Sequence, residues 1–302
     1  MFWKWCKRSI LGLAGAGILI IAVLAATSEP VTTHPFTDTD EFLVIAHRGG
    51  RGQWPENTMQ AFRKASESGV DVLEMDIQAT RDGTLIVMHD SEVNRTTNGS
   101  GRVTDLTFGE LQKLDAGYWW TDDDGASYPF RGVGVTVPSF QSVLETFPDI
   151  RLIVELKQTE PSIVDRFVSA VKESGTPDQI LVASFQGSTI QEVQSAYPLI
   201  GSATTPLDAF LFFLLNTLRL SGAYHASAQA FEIPPRMGQI DIVNARFIRN
   251  AHEHNMAVHV WTINEITEMQ RLIDMGVDGI MTDFPDRLLT LIGRDSVKSI
   301  EQ

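Results

Sequence analysis

From residue 41 onward the chain alternates between brief β-branched or aliphatic runs and stretches of helical periodicity. Strands are predicted at Leu43–Ala46, Val72–Asp76, Leu85–His89, Leu152–Leu156, Ile180–Ser184, Leu199–Ala203, Ala230–Ile233, Ala257–Trp261 and Gly279–Thr282. Helical patterns cover 56–68, 139–147, 162–174, 187–196, 244–255, 264–274 and 285–292. A parallel strand pair needs a crossover, and a helix after each strand supplies one, so the alternation implies a parallel sheet covered by helices. Repeated this often in one domain, it predicts an α/β fold of the closed (β/α)8 TIM-barrel type rather than an open sheet. Nine candidate strands for eight places mean that one is either not a strand or peripheral. The RDGT join between Asp76 and Leu85 is too short for a parallel crossover, so the barrel is expected to be irregular near its second and third strands.

The barrel is expected to occupy 41–293, followed by a tail at 294–302. Residues 90–137, rich in Gly, Asp, Thr and aromatic residues and without regular period, form an expected insertion after the third strand. Residues 205–224 (TPLDAFLFFLLNTLRLSGAY) stand out because their centre, Phe210 to Leu215, is apolar on every side. Such a segment suits either a buried core position or contact with lipid.

The N-terminus follows different rules. Lys4, Lys7 and Arg8 precede a charge-free apolar run from Ile10 to Ala26, which an acidic and polar stretch follows. Seventeen residues nearly cross a hydrocarbon core of ~30 Å, so 1–28 is predicted to be a signal anchor and 29–40 a linker. The flanking charges place the remainder on the extracytoplasmic side of the membrane; a signal peptide cleaved near Ala25 and Ala26, giving a secreted protein, is the alternative. Cys6 is the sole cysteine, which excludes an intrachain disulfide. A formal net charge of -14 without a basic run beyond residue 8 would repel a phosphate backbone, so nucleic acid is not expected as a partner.

Several strands end in residues that packing does not require. LVIAHRGG ends in His47 and Arg48, LIVMH in His89, and Glu74 and Asp76 sit two apart on one strand, hence on one face. Glu155 and Lys157 repeat that spacing in LIVELK. In a (β/α)8 barrel these strand ends converge where active sites are found. The convergence offers carboxylates for a hard cation, two histidines for proton transfer, and Arg48 and Lys157 for an anion. HEHNM at 252–256 is not a zinc-protease motif, because Met256 stands at the second histidine position, and neither a dinucleotide nor a Walker pattern occurs. His259 shares a face with Trp261 and is expected to be a packed or hydrogen-bonded histidine.

HRG with PENT, then EMDIQATRDGTLIVMHD, VELK, VWTIN and GVDGIMTDFPD, in this order and spacing, resemble the glycerophosphodiester phosphodiesterase family over about residues 43–292. The resemblance implies a metal-dependent phosphoric diester hydrolase. His47 and His89 would be its acid/base pair, Glu74, Asp76 and Glu155 its ligands for Mg²⁺ or Ca²⁺, Arg48 and Lys157 its phosphate-binding residues, and Trp261 part of its substrate pocket. It further implies release of glycerol 3-phosphate and an alcohol, with a neighbouring glycerol hydroxyl as a first nucleophile and a cyclic phosphate that water opens. The Phe210–Leu220 stretch with FEIPP at 231–235 resembles the membrane-associated, lysophospholipase D-like branch, which adds Phe210, Phe212 and Phe213 as pocket residues and a lysophospholipid as alternative substrate. A catalytically silent, membrane-tethered module that binds phosphodiester head groups is the alternative from another class. A complete acid/base pair argues against it.

Overall fold

The computed structural model describes residue 17 and residues 19–294. Its strands are β1 (Leu43–Ala46), β2 (Val72–Ala79), β3 (Leu85–Val87), β4 (Arg151–Leu156), β5 (Ile180–Ala183), β6 (Gly201–Ser202), β7 (Ala230–Ile233), β8 (Arg236–Met237), β9 (Ile240–Asp241), β10 (Ala257–Val260) and β11 (Gly279–Thr282). Its main helices are α1 (Met59–Ser68), α2 (Phe108–Leu111), α3 (Phe140–Thr146), α4 (Val164–Ser174), α5 (Gly187–Ala196), α6 (Pro206–Thr217), α7 (Ala245–Glu253), α8 (Ile266–Met275) and α9 (Pro285–Leu291). Eight parallel strands run in the order β6-β5-β4-β2-β1-β11-β10-β7. A parallel bridge between Ala203 and Ala230 spans the remaining gap between β6 and β7, where Thr204 N–H donates to the Ala230 carbonyl at 2.8 Å. The chain is therefore a TIM barrel, nearly closed.

The surplus member of the nine predicted strands is β3. It pairs antiparallel with the end of β2, Ile77 opposite Val87 and Ala79 opposite Leu85, and so lies outside the barrel ring. That pairing carries β2 to Ala79, beyond the Asp76 expected from its apolar run. The predicted strand Leu199–Ala203 shortens to the two residues of β6. Helix boundaries have local causes: Thr58 caps α1 by accepting the Ala61 N–H at 3.2 Å, and Gly69 ends it with a φ of 90°.

Alternation along the pleat sorts the strands into two cores. Val44, Leu73, Met75, Val154 and Val182 pack outward against the helices, whose buried faces are represented by Phe62 of α1 and Phe167 of α4. Leu43, Ile45, Val72, Ile153, Leu181, Ala230 and Met281 point inward, and Phe36 joins them at the end where the strands begin. The expected linker is thus partly docked, with Phe36 fully buried beneath the barrel. Residues 90–137 fold around a smaller core of Ile86, Met88, Val93, Val103, Leu111, Ala116, Val135 and Val137.

Among the described residues no helix is long and apolar enough to cross a membrane. The expected anchor lies mainly outside the described residues, of which 19–27 are helical. The segment 205–224 forms α6 and a short 3-10 turn, Ser221–Ala223. Its Phe212 does not line a pocket, contrary to expectation: it is fully buried, with ring centroids 4.8 Å from Phe231, 4.9 Å from Phe247 and 5.0 Å from Tyr224. Phe210, two residues earlier and on another side of the helix, is 52% exposed. Phe212→Ala is therefore expected to cost ~3–5 kcal/mol in chemical denaturation. Phe210→Ala should change stability by only about 0.5 kcal/mol.

Candidate active site

The inward-facing parity that supplies the apolar floor also supplies the site. Continuing two residues at a time, Val72 leads to Glu74 and Asp76, Ile153 to Glu155 and Lys157, Ile45 to His47, and Met281 to Asp283. These residues emerge at the C-terminal ends of the strands. There a cavity of about 530 Å³ is lined on one side by His47, Arg48, Glu74, His89, Glu155 and Lys157 and on the other by Phe185, Phe210, Phe213, Met237 and Trp261. All the sequence-predicted site residues but two, Asp76 and Phe212, line it directly. Asp76 is buried beneath it as part of the carboxylate group.

Glu74, Asp76 and Glu155 each offer an oxygen, and these oxygens lie within 4.8 Å of one another. Burial, reinforced by the Asp76 charge, pushes the Glu74 carboxyl well above the usual carboxylate range. Burial raises Glu155 as well, against the pull of Lys157. Three carboxylates crowded at low exposure need positive charge nearby. Part of it is present, since Lys157 Nζ lies 2.8 Å from Glu155 Oε2 and 3.2 Å from Asp76 Oδ1. The all-oxygen donor set fits a hard divalent cation such as Mg²⁺ or Ca²⁺ and lacks the nitrogen or sulfur donors usual for zinc.

The HRGG turn serves this cluster. Arg48 adopts a φ of 51°, so that its backbone N–H donates to Glu74 Oε2 at 2.7 Å. Its guanidinium donates from Nη1 to Glu56 at 2.9 Å and brings Nε within 3.3 Å of Asp76 Oδ2. Gly49 follows at a φ of 80°, and a Cβ there would come within 2.9 Å of both Ala61 and Phe62 of α1. Glycine lets the turn sit directly against the helix.

PENT has an equally concrete role. Glu56 bridges Arg48 and Arg95, the latter at 2.7 and 2.8 Å. Burial would raise its carboxyl, yet the two guanidinium groups hold it down at about 2. Asn57, at a φ of 57°, donates from Nδ2 to Asp76 Oδ2 at 2.9 Å, and Thr58 starts α1.

Each histidine is gripped through Nδ1. His47 Nδ1 lies 2.6 Å from Asp283 Oδ1, and Asp283 is itself held by Asn264 at 2.9 Å and Arg51 at 3.0 Å. Burial lowers the His47 pKa despite the Asp283 carboxylate. His89 Nδ1 lies 2.7 Å from Asp90 Oδ1, and Asp90 accepts from Arg95 Nε at 2.6 Å. With Nδ1 engaged, Nε2 is the ring nitrogen available for proton transfer. His259 behaves as expected of a packed histidine, fully buried with Nδ1 2.6 Å from Glu232 Oε1. Sequence reasoning did not single out Asp283, Glu56, Asn57, Asp90 or Arg95. Asp283 had the signal of a strand-end carboxylate, whereas Arg95 comes from an aperiodic insertion.

Fold and site together define a TIM-barrel enzyme with paired histidines beside Arg48, Lys157 and a carboxylate cluster. Residues 47–287 match the glycerophosphoryl diester phosphodiesterase family, and the chain belongs to that family of phosphoric diester hydrolases. It is 28% identical over 298 residues to a glycerophosphodiester phosphodiesterase of Bacillus subtilis, covering 93% of this chain and 96% of the relative. It is 27% identical over 277 residues to a lysophospholipase D of Rattus norvegicus, covering 81% and 84% respectively. The crystal structure of a glycerophosphodiester phosphodiesterase from Agrobacterium tumefaciens superposes with a TM-score of 0.66 at 26% identity, covering 82% of this chain and 99% of that one.

The Glu56 bridge yields a pH-dependent expectation. Its folded pKa, about 2, lies below its ordinary value of 4.5, so its stabilisation is present above pH ~4.5 and is lost as pH falls toward 2. Glu56→Gln should cost ~2–3 kcal/mol at neutral pH and flatten the fall in stability between pH 5 and pH 2, as measured by denaturant unfolding across that range.

Proposed function

We propose that the protein hydrolyses glycerophosphodiesters to glycerol 3-phosphate and an alcohol. The observation that carries this reading is the pair of Nδ1-anchored histidines, His47 and His89, lining one cavity with Arg48, Lys157 and the carboxylate cluster. Arg48 and Lys157 bind the anionic phosphodiester and offset charge that builds on its oxygens. One histidine takes the proton from the attacking hydroxyl while the other gives its proton to the departing alkoxide. With the adjacent glycerol hydroxyl as nucleophile, a new P–O bond forms as the bond to the alcohol breaks, leaving a cyclic phosphate. Water then opens that ring, and the histidines exchange roles. Glu74, Asp76 and Glu155 would hold Mg²⁺ or Ca²⁺, which supplies Lewis-acid polarisation of the phosphoryl group when bound.

We also propose that the site lies outside the cytoplasm, on a chain tethered by the apolar run Ile10–Ala26. Support comes from Lys4, Lys7 and Arg8 before that run and the acidic stretch after it. A second reading, lysophospholipase D, is favoured by Phe185, Phe210, Phe213 and Met237 lining one side of the cavity. An acyl chain laid there would gain ~0.8 kcal/mol per buried methylene.

His47→Ala and His89→Ala should each lower kcat on glycerophosphocholine by ~10²–10⁴-fold with the fold intact by circular dichroism. EDTA should abolish turnover, and added Mg²⁺ or Ca²⁺ should restore it. Release of lysophosphatidic acid from lysophosphatidylcholine, without turnover of glycerophosphocholine, would select the second reading. Retained binding of both diesters without turnover under any metal would instead identify a binding module.

A further inference from the structure

Helix α6 is apolar on opposite sides. Its inner side packs through Phe212, and its one buried amide, Asn216, accepts from Asn250 Nδ2 at 2.7 Å. On the outer side Leu207, Leu211, Leu214 and Leu218 recur at intervals of four, three and four residues, the spacing of a single helical stripe continuing onto the residue that caps the helix. Their exposures are 74%, 45%, 42% and 58%. A helix apolar all round is ordinarily covered all round, and this stripe has no cover among the described residues.

The bare surface extends around the cavity mouth. Phe210, beside the stripe, lines the cavity together with Phe185 and Met237, which are 59% and 55% exposed. Met237 belongs to the β8–β9 hairpin, whose Ile240 is 54% exposed. Isolated exposed apolar residues are unremarkable; a stripe continuous with a cavity rim marks an interaction surface.

The route of the N-terminal chain identifies the occupant. The end of the charge-free run Ile10–Ala26 and the residues just after it meet the barrel beside the C-terminal end of α6: Ser28 Oγ donates to the Tyr224 carbonyl, and His225 Nε2 lies 3.2 Å from the Leu24 carbonyl. Tyr224 follows the turn after α6 and packs edge-on against Phe212. The most lipid-compatible stretch of the sequence therefore joins the barrel next to its bare apolar helix. A net charge of -14 opposes close approach of a second copy and of anionic lipid alike, and points to a zwitterionic lipid surface.

We propose that the outer stripe of α6 and the rim formed by Phe185, Met237 and Ile240 rest in the interfacial region of a lipid bilayer, so that the cavity opens onto lipid. Docking itself is independent of the proposed reaction; only its consequence, that substrates enter from the membrane plane, rests on it.

The test uses the full chain reconstituted in phosphatidylcholine vesicles. With Cys6→Ser as background, an environment-sensitive fluorophore is placed through Leu211→Cys, Leu214→Cys or Ile240→Cys, and through Lys172→Cys on α4 as the reference. Lipids spin-labelled near the headgroup end of the acyl chain should quench the first three several-fold more than the reference. Quenching equal to the reference at all three sites overturns the proposal. A shift in emission that appears only at high protein concentration, without lipid quenching, also overturns it by assigning the stripe to a second copy. The double variant Leu211→Gln/Leu214→Gln should retain hydrolysis of water-soluble glycerophosphocholine and lose several-fold activity on lysophosphatidylcholine in vesicles. Equal retention of both activities counts against docking. If neither substrate is turned over by the parent chain, the reaction assignment fails while the quenching result still decides the docking.

Discussion

Everything in this barrel depends on the parity of its pleat. Each strand commits alternate residues to the interior, and along that register β1, β2, β4 and β11 change from aliphatic to ionisable residues as the strand rises. Val72, Ile153 and Met281 fill the floor, whereas Glu74, Glu155 and Asp283 stand two residues above them. A one-residue slip of β2 against β4 would turn Glu74 and Asp76 toward the helices and bring Leu73 and Met75 inside. The hydrophobic interior and the candidate site are therefore specified by the same set of hydrogen bonds.

Above the floor, polar residues form one connected structure. From His89 the contacts run through Asp90, Arg95, Glu56 and Arg48 to Asp76 and Lys157, with Asn57 at the side. Each acid in that path meets a base, which is how so many charges tolerate low exposure. His47 belongs to a second group built on Asp283, Asn264 and Arg51. The two histidines thus have independent supports, one drawing on the insertion and the other on the last strand.

Much of this was legible in the sequence because strands ending in charge are conspicuous against their apolar runs. VLEMD and LIVELK display both the barrel interior and the carboxylates, and the short RDGT join marked the place where the barrel is irregular. Phe212 was illegible for a physical reason: where Phe210 to Leu215 are apolar throughout, no period states which side meets the core. Arg95 was hidden because it reaches the site from an insertion whose chain follows its own small core rather than a repeating pattern. Glu56 and Asn57 were visible as part of PENT, but their partners could be assigned only once the turn was folded.

The seam between β6 and β7 divides the molecule mechanically. β2 and β4 match along six residue pairs, and they carry the carboxylates and Lys157. β6 has two residues and meets β7 through one bridge, and the apolar wall of the cavity rises from the connections on that side. The ring accordingly has a continuously paired half that keeps the carboxylates in register and a sparsely paired half that borders the apolar wall of the cavity. Pairing and chemical character thus divide along the same line, the charged wall standing on the long ladder and the apolar wall beside the short one.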